Sequence, residues 1–393
     1  DVAATKIDRN SITESDIAVF AAAGESDAAA AGGDLDSQSL YDSIIGDAPD
    51  SMMEWVNGAG TGVDIHASSL YRSSSLGGAN TWISNTIIDN GIGMLIAGEV
   101  TGSQIGTGDP ATGNTITGNS QGGVMLLGEG ADAPQDITIR GNSIFGNGRN
   151  NTSRKPFPAV TGPVPDIVFV GAAGNTGTTL GVVSNDLRDA DVGANGLQNH
   201  PNITVVDAPG AIGGVIKGHL HSEPNTSYVI DFYSNDRCNG LGYGGGEVAL
   251  GSIEVTTNAS GDASFTYDEP LKQGRLHWDE FVTATATKTG LVDGPTSGFS
   301  HCLLVGHTAT SIMLPALVGD TRLEVTDTDG FDVGDDVIIN PGGHNQEYAT
   351  IDGFGSIILA SPLQFAHSPG ELIILGGPGK PAGPGGPGGP GGP

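Results

Sequence analysis

A seven-residue motif, Asn-x-Ile-x-x-Asn followed by Gly or Ser, occurs three times in the first half of the chain. Its copies lie at residues 85–91, 114–120 and 142–148, so successive copies begin 29 and 28 residues apart. A looser relative of the motif starts at Asn10. A repeat of this length is typical of chains whose short units stack, because one unit alone cannot bury its apolar face. The motif therefore predicts a fold built by stacking.

Short apolar runs flank the copies of the motif and predict two or three strands in each repeat. These runs lie at residues 81–84, 93–97, 124–128, 136–139 and, after a longer insertion, 166–170. In a stack, each strand can pair with its equivalents about 4.8 Å above and below. Asn and Gly suit the corners because they tolerate left-handed backbone, and stacked Asn side chains can hydrogen-bond to one another. We interpret these asparagines as corner residues and not as ligands.

With this motif the chain resembles the pectate-lyase-like superfamily of right-handed parallel β-helices, particularly the repeat-bearing surface proteins of bacteria. The resemblance covers residues 1–200, and it implies a right-handed parallel β-helix there. It implies little about chemistry. A Ser-, Asp- and Gly-rich stretch at 26–79 interrupts the pattern. We interpret that stretch as an insertion on the helix wall, with a short helix near residues 36–45.

The remainder of the chain also favours β-structure. Glycine is the commonest residue, with 65 copies in 393, and aromatic residues make up only 5%, which is typical of short strands joined by tight turns. Seven strand-like runs at 201–306 predict an Ig-like β-sandwich, and the segment is similar to sandwiches that follow β-helices in secreted bacterial proteins. Six strand candidates at 307–375 resemble a small β-barrel module of bacterial and phage surface proteins. The predicted fold is all-β throughout.

The chain ends in a Gly/Pro-rich tail, residues 376–393. Proline at nearly every third position enforces the polyproline II conformation, with three residues per turn. A stable collagen trimer is not expected, because Lys380 or Ala382 interrupts each frame in which glycine could recur. The free backbone N–H groups of such a rod can instead pair laterally with other chains. The predicted self-assembly residues are Gly376, Pro378, Pro381, Pro384, Pro387, Pro390 and Pro393.

The net charge of −30 limits the partners of the chain, since 45 Asp and Glu face only 15 Lys and Arg. Such a surface repels nucleic acid and anionic lipid, and it repels polyuronates unless divalent cations bridge them. No apolar run approaches the roughly 18 residues that span a bilayer, so no membrane insertion is expected. The chain begins at Asp1, which we interpret as the result of processing. We predict an extracellular protein, either secreted or on the cell surface.

Two sets of residues are candidates for covalent or metal chemistry. Cys238 and Cys302 lie in one predicted domain and are interpreted as a disulfide, with two separate buried thiols as the alternative. Asp189, Asp191 and Asn195 alternate as a calcium loop requires. Against calcium, Ala194 stands where such a loop has glycine and no glutamate closes the loop, so a solvated acidic linker is the alternative. No cofactor is required by the sequence.

The predicted β-helix carries few groups suited to catalysis. Polysaccharide lyases need a basic side chain, and Arg140 is the basic residue inside a strong strand motif, interpreted as a solvated corner charge. Hydrolases need paired carboxylates, yet Asp89 and Asp136 occupy different positions of the repeat. His219 and His221 alternate on one strand, which fits either surface residues or a metal pair. We predict no catalytic residue.

The favoured hypothesis is a non-enzymatic structural or adhesive protein, a self-assembling subunit of an extracellular filament or matrix. Its partners would be copies of itself, joined through the open strand edges of the stack and through the Gly/Pro tail. The alternative is a polysaccharide-binding or polysaccharide-cleaving protein of the pectate-lyase-like class, because the groove along a β-helix suits an extended extracellular glycan.

Overall fold

Strands dominate the computed structural model of this chain, which is all-β as predicted. Its contacts define two units, Asp1–Gly306 and His307–Pro393. The predicted short helix near residues 36–45 and the Gly/Pro tail lie outside the described residues. The structure describes residues 6–8, 11–13, 17–23, 67–73, 81–90, 92–98, 100–119, 121–128, 133–148, 164–170, 182–207, 214–239, 242–268, 276, 280–290, 294–326, 328, 330–341 and 345–375.

Parallel sheets form the first part of the first unit. The described strands are β1 (Lys6–Asp8), β2 (Ser11–Thr13), β3 (Ile17–Ala23), β4 (Ala67–Ser73), β5 (Thr81–Ile83), β6 (Thr86–Ile88), β7 (Ile92–Gly98), β8 (Gln104–Ile105), β9 (Thr115–Thr117), β10 (Gly122–Leu127), β11 (Thr138–Ile139), β12 (Ser143–Phe145) and β13 (Ile167–Val170). They form three parallel sheets in the orders β1-β5-β8-β11, β2-β6-β9-β12 and β4-β3-β7-β10-β13. Part of the predicted insertion is therefore a strand, since β4 pairs with β3.

The register of these sheets follows the sequence repeat. The motif isoleucine pairs with its equivalent in each next copy, Ile87 with Ile116 and Ile116 with Ile144. All three side chains are buried in one apolar cluster that includes Trp82 and Met94. Pairing between equivalent strands of neighbouring repeats is thus confirmed. Repeats of nearly equal length place equivalent residues next to each other in adjacent layers of the stack.

Antiparallel sheets form the rest of the first unit. Their described strands are β14 (Asn202–Asp207), β15 (Val215–His221), β16 (Ser227–Asn235), β17 (Val248–Thr256), β18 (Asp262–Asp268), β19 (Phe281–Lys288) and β20 (Leu303–Leu304). One sheet has the order β14-β15-β18 and the other β17-β16-β19-β20. Phe232 of β16 lies between the sheets, with its ring centroid 5.5 Å from that of Phe265 and 4.8 Å from that of Tyr267. Short 3₁₀ helices lie at Pro110–Thr112 and Ala194–Leu197.

The second unit is a curled antiparallel half-barrel. Its described strands are β21 (Ala309–Ser311), β22 (Arg322–Leu323), β23 (Asp336–Ile339), β24 (Glu347–Phe354), β25 (Ile357–Leu359) and β26 (Leu372–Leu375). The strand order is β21-β26-β23-β24-β25-β22, and a bridge between Ile312 and Val325 brings the two ends of that order together. Alternate apolar side chains such as Val337 and Ile339 fill the interior.

Candidate functional site

A ladder of buried amides runs along one corner of the parallel stack. Asn90 Nδ2 donates to Asn119 Oδ1 at 3.1 Å, and Asn119 Nδ2 donates to Asn147 Oδ1 at 2.8 Å. Asp166 ends the ladder by accepting from Asn147 Nδ2 at 2.7 Å. Each of these acceptor oxygens also accepts the backbone N–H of the preceding ladder asparagine, at 2.9–3.0 Å. An acceptor-only residue suits this position, because both atoms that Asn147 presents to it are N–H donors.

A second ladder follows the first residue of each motif copy. Asn85 Nδ2 donates to Asn114 Oδ1 at 2.9 Å, and Asn114 Nδ2 donates to Asn142 Oδ1 at 2.8 Å. All three side chains are buried. The predicted hydrogen bonding between stacked asparagines is confirmed. The expected left-handed backbone lies instead at residues that precede motif asparagines, such as Asp89, Gly118 and Gly146.

Arg140 is ion-paired and its side chain is only 21% exposed, so the interpretation as a solvated corner charge was wrong. Its Nε donates to Asp231 Oδ2 at 2.6 Å and its Nη2 to Asp231 Oδ1 at 2.8 Å, a bidentate pair. The Asp231 side chain is 9% exposed. Burial raises the pKa of Asp231, and the Arg140 guanidinium opposes that rise. The guanidinium of Arg140 therefore joins the last repeat to strand β16.

The last repeat of the stack is covered by the antiparallel part of the unit. Ile144 and Gly246 exchange two backbone hydrogen bonds, at 2.9 and 2.6 Å. Thr296 Oγ1 accepts from the backbone N–H of Ile139 at 2.9 Å, and Asn195 Oδ1 accepts from that of Ile137 at 2.8 Å. The expectation of an open strand edge is therefore wrong for β11 and β12, whose backbone groups already have partners. At the opposite end of the three sheets the outermost described strands are β1, β2 and β4.

The candidate calcium residues are only partly brought together. Oxygens of Asp189 and Asp191 lie within 4.8 Å of each other and of an oxygen of Asp186, a neighbour that the sequence reasoning missed although the residues share one acidic stretch. Both oxygens of Asp189 accept hydrogen bonds, from Asn199 N at 2.8 Å and from Ser222 Oγ at 2.9 Å. The Asn195 amide is used elsewhere, on Ile137 and on Thr296.

Burial dominates the electrostatics of this acidic cluster. It raises the pKa of Asp189 to about 6 and that of Asp191 to about 7, where repulsion from Asp186 and Asp189 adds to the rise. Calcium takes six to eight oxygen ligands, and three carboxylates, of which those of Asp186 and Asp189 already accept hydrogen bonds, supply only part of such a shell. The cluster therefore fits the proposed ion poorly, and calcium stays a prediction.

The two histidines of β15, His219 and His221, are not arranged to bind one metal ion together. His221 Nδ1 lies 2.6 Å from Asp262 Oδ1, and its Nε2 accepts from the Arg188 backbone N–H at 3.1 Å. His219 Nε2 instead lies 3.3 Å from Asn202 Nδ2. Both ring nitrogens of His221 thus have protein partners, which leaves no lone pair for a shared ion.

A buried aromatic cluster surrounds His200. The ring of His301 lies 3.7 Å from that of Tyr243, centroid to centroid, and the His200 ring packs edge-on at 5.5 Å from Tyr243. Burial lowers the pKa of His200 to about 4 and that of His301 to about 3. The adjoining cavity, whose lining includes His200, Tyr243 and Phe299, measures about 10 Å³. It has room for a single water molecule and is too small for a sugar.

His200→Gln should reduce the acid sensitivity of the fold. Below pH 6.5 the unfolded chain protonates this histidine and the folded chain does not, so stability is lost as pH falls toward about 4. Between pH 7 and pH 5 this single group should cost about 2 kcal/mol. Urea unfolding of both proteins at the two pH values measures the difference. An equal loss of stability in the variant and the original protein would contradict the assignment.

The predicted disulfide is confirmed. Cys238 and Cys302 are bonded, with Cα atoms 6.0 Å apart and a sequence separation of 64. The bond ties the segment after β16 to the start of β20. The alternative of two separate thiols is excluded.

A charged cluster that the sequence did not reveal lies inside the half-barrel. His367 has no exposed side-chain surface. Its Nε2 lies 2.8 Å from Glu347 Oε1, and its Nδ1 lies 2.5 Å from Glu371 Oε2. Each ring nitrogen of His367 thus faces one glutamate carboxylate. The cluster fixes the 363–371 segment, since the Gln364 backbone N–H also donates to Glu347 at 2.9 Å.

Searches of protein-family models and of curated protein sequences found no match to this chain. The resemblance to pectate-lyase-like proteins therefore stays a prediction. Within the described residues, no helix has the length and apolar character to cross a membrane. The predicted self-assembly residues, from Gly376 to Pro393, lie outside the described part of the chain.

Proposed function

We propose that this chain is a non-enzymatic extracellular structural protein, a subunit that associates with copies of itself in a surface filament or matrix. Its stiff element would be a right-handed parallel β-helix over residues 1–200. Right-handedness is supported by the general rule for crossovers between parallel strands of one sheet. The stacking of equivalent residues at intervals of 28 and 29 residues supports the helix itself.

The following domains would be spacers and contact modules. Labelled A to G in chain order, β14–β20 give sheets A-B-E and D-C-F-G. The A-B-E and C-F-G neighbours match those of an Ig-like sandwich whose fourth strand has changed sheets, which supports that assignment for 201–306. The curled sheet of the second unit supports a small β-barrel module at 307–375.

The observation that carries the proposal is the junction between the last repeat and the antiparallel sheets, which hydrogen bonds and an ion pair hold together. The guanidinium of Arg140 is held there by Asp231, 2.6 Å away, in the bidentate pair. A lyase of the related class would need a basic group free to reach a substrate proton. In this chain the strongest candidate base instead connects two parts of a rod, which favours a scaffold over a catalyst.

An extracellular setting is supported by the disulfide between Cys238 and Cys302, because such bonds persist in oxidising compartments. The charge of −30 makes uncontrolled contact between copies unfavourable. Association would then depend on a dedicated element, and the Gly/Pro tail is a segment without acidic residues.

Deleting residues 376–393 should abolish concentration-dependent association of the full chain. The reason is that the polyproline II tail would supply the contact that offsets electrostatic repulsion. Sedimentation velocity over a hundredfold range of concentration measures the effect. A length-matched control replaces each tail proline with serine and should behave like the deletion. Monomeric behaviour of the unaltered chain throughout, or depolymerisation of a glycan by it, would contradict the proposal.

A further inference from the structure

An exposed apolar strip crosses the second unit. Residues 312–320 run antiparallel to residues 363–367, because Ala316 and His367 exchange two backbone hydrogen bonds of 2.9 Å and Gly319 N donates to Leu363 O at 2.9 Å. We name the exposed side chains of this pair the apolar ribbon. Its members are Met313 (51% exposed), Leu314 (58%), Leu317 (64%), Val318 (63%) and Phe365 (45%).

The ribbon side chains are exposed because other side chains already occupy the interior of the half-barrel. Other side chains of the same two segments are buried in the core of the half-barrel, namely those of Ile312, Ala316 and Leu363. His367 holds the second segment in place through its contacts with Glu347 and Glu371. Single exposed apolar side chains are ordinary, but five grouped on two paired segments are typical of a surface that binds another protein segment.

The charge of the second unit limits which kind of segment can bind to the apolar ribbon. Residues 307–375 contain ten Asp and Glu and a single Arg, so this unit is strongly negative. A second copy of the same face would be repelled. The tail, residues 376–393, has no acidic side chain and carries Lys380. Proline-rich segments in the polyproline II conformation bind apolar, aromatic-bearing surfaces at low entropic cost.

The geometry of β26 favours a tail from a neighbouring copy. The ribbon adjoins the start of this strand, where the Ile312 N–H donates to Glu371 O at 2.9 Å. The tail follows Leu375 at the other end of the strand, about 13 Å away at the usual rise of a β-strand. A polyproline II tail that kept the direction of β26 would lead away from its own ribbon. Eighteen residues at about 3.1 Å each span roughly 56 Å, enough to reach a second molecule.

We propose that the apolar ribbon is the docking surface for the Gly/Pro tail of a second copy of this chain. This rests on the proposed self-assembly and names the surface that receives the tail. Burial of Leu317, Val318 and Phe365 against proline rings would supply the attraction. Lys380 would meet the negative charge of the unit.

The chain offers a matched pair of variants for the test. Val318 and Val333 both precede a left-handed glycine and an aspartate, Gly319 (φ +94°) in one turn and Gly334 (φ +98°) in the other. Both valines are similarly exposed, at 63% and 61%. The first turn borders Leu363, whereas the second borders β24, where Gly334 N donates to Ile351 O at 2.8 Å. Serine at either site should leave folding unchanged.

Val318→Ser in the full chain should weaken association about tenfold or more, and Val333→Ser should leave it unchanged. Sedimentation velocity measures association, and circular dichroism melts check the fold of both variants. A labelled synthetic peptide of residues 376–393 provides an independent readout by fluorescence anisotropy. It should bind the unaltered chain and the Val333→Ser variant, and bind the Val318→Ser variant at least about tenfold more weakly.

The outcomes separate the two proposals. If tail deletion abolishes association but Val318→Ser does not, the docking surface is wrong and self-assembly through the tail stands. If Val318→Ser abolishes association but tail deletion does not, the ribbon contacts another face and the tail proposal is wrong. If neither change matters, both proposals are overturned. Equal loss in the Val318→Ser and Val333→Ser variants also overturns the docking surface.

Discussion

Arg140→Met should lower the free energy of unfolding of the first unit by about 3 to 5 kcal/mol. The methionine leaves the Asp231 carboxylate, whose side chain is 9% exposed, without the cation that donates to it at 2.6 and 2.8 Å. A buried carboxylate without a partner must be protonated or hydrated, and each route costs free energy. Urea unfolding, followed by circular dichroism and by intrinsic fluorescence, measures the loss.

The double variant Arg140→Met with Asp231→Leu is the matched control. Replacing both members of a buried pair with apolar residues of similar size is often nearly neutral, so most of the lost stability should return. Arg140→Lys keeps the charge but loses the bidentate geometry, and it should fall between the two. A single variant within about 1 kcal/mol of the original protein would contradict a structural role for the pair. So would a double variant as unstable as the single one.

The same variants test whether the parallel stack and the antiparallel sheets unfold together. Arg140 lies after β11 and Asp231 lies on β16, so the pair joins the two parts of the first unit. With the pair intact, the two spectroscopic probes should give coincident transitions. Transitions that separate in Arg140→Met would mean that this junction carries much of the coupling between the parts.

The stacked part of the fold could be predicted because its signal is local and repeated. Ile87, Ile116 and Ile144 share one motif position, and the structure pairs them in register. The disulfide could be predicted because the sequence holds two cysteines and so allows a single intramolecular pairing. In both cases the sequence itself restricts the partner of each residue.

The partners of Arg140 and Asn195 could not be predicted, because each lies far away in sequence and shares no motif with it. Asp231 is 91 residues from Arg140, and nothing around either residue marks the pair. Asn195 matched the spacing of a calcium loop, but its amide hydrogen-bonds with Ile137, 58 residues away. Spacing predicts which side chains share a loop, whereas it does not predict which buried backbone group needs an amide.

The apolar ribbon and the His367 cluster were missed for a related reason. Ile312 and Ala316 are buried, whereas the other apolar side chains between residues 312 and 318 are exposed. The curl of the half-barrel decides which residues are covered, and that curl depends on all six strands. Exposure of an apolar run is therefore a property of the folded unit and not of the run.

Asn119→Leu should destabilise the first unit by about 2 to 4 kcal/mol, since four buried hydrogen bonds are lost although Asn90 Nδ2 and Asn147 Oδ1 each keep another partner. The substitution removes the acceptor of the Asn90 backbone N–H and of Asn90 Nδ2, at 3.0 and 3.1 Å. It also removes the donor to Ile87 O at 3.3 Å and to Asn147 Oδ1 at 2.8 Å. The leucine is too apolar to replace any of these bonds, and the site has no access to solvent.

A control on the same repeat separates the ladder from a general sensitivity of the stack. Thr117→Val alters a half-buried side chain two residues away and preserves its shape, so a change within about 0.5 kcal/mol is expected. Asn119→Asp keeps the acceptor oxygen but turns the donor into a second acceptor facing Asn147 Oδ1, and it should remain strongly destabilised. At the end of this ladder, Asp166 accepts from Asn147 Nδ2 and N, at 2.7 and 2.9 Å, so a carboxylate suits that position. Urea unfolding of all three variants measures the ladder directly, and an Asn119→Leu protein as stable as Thr117→Val would show that stacking of the apolar strands alone holds the repeats in register.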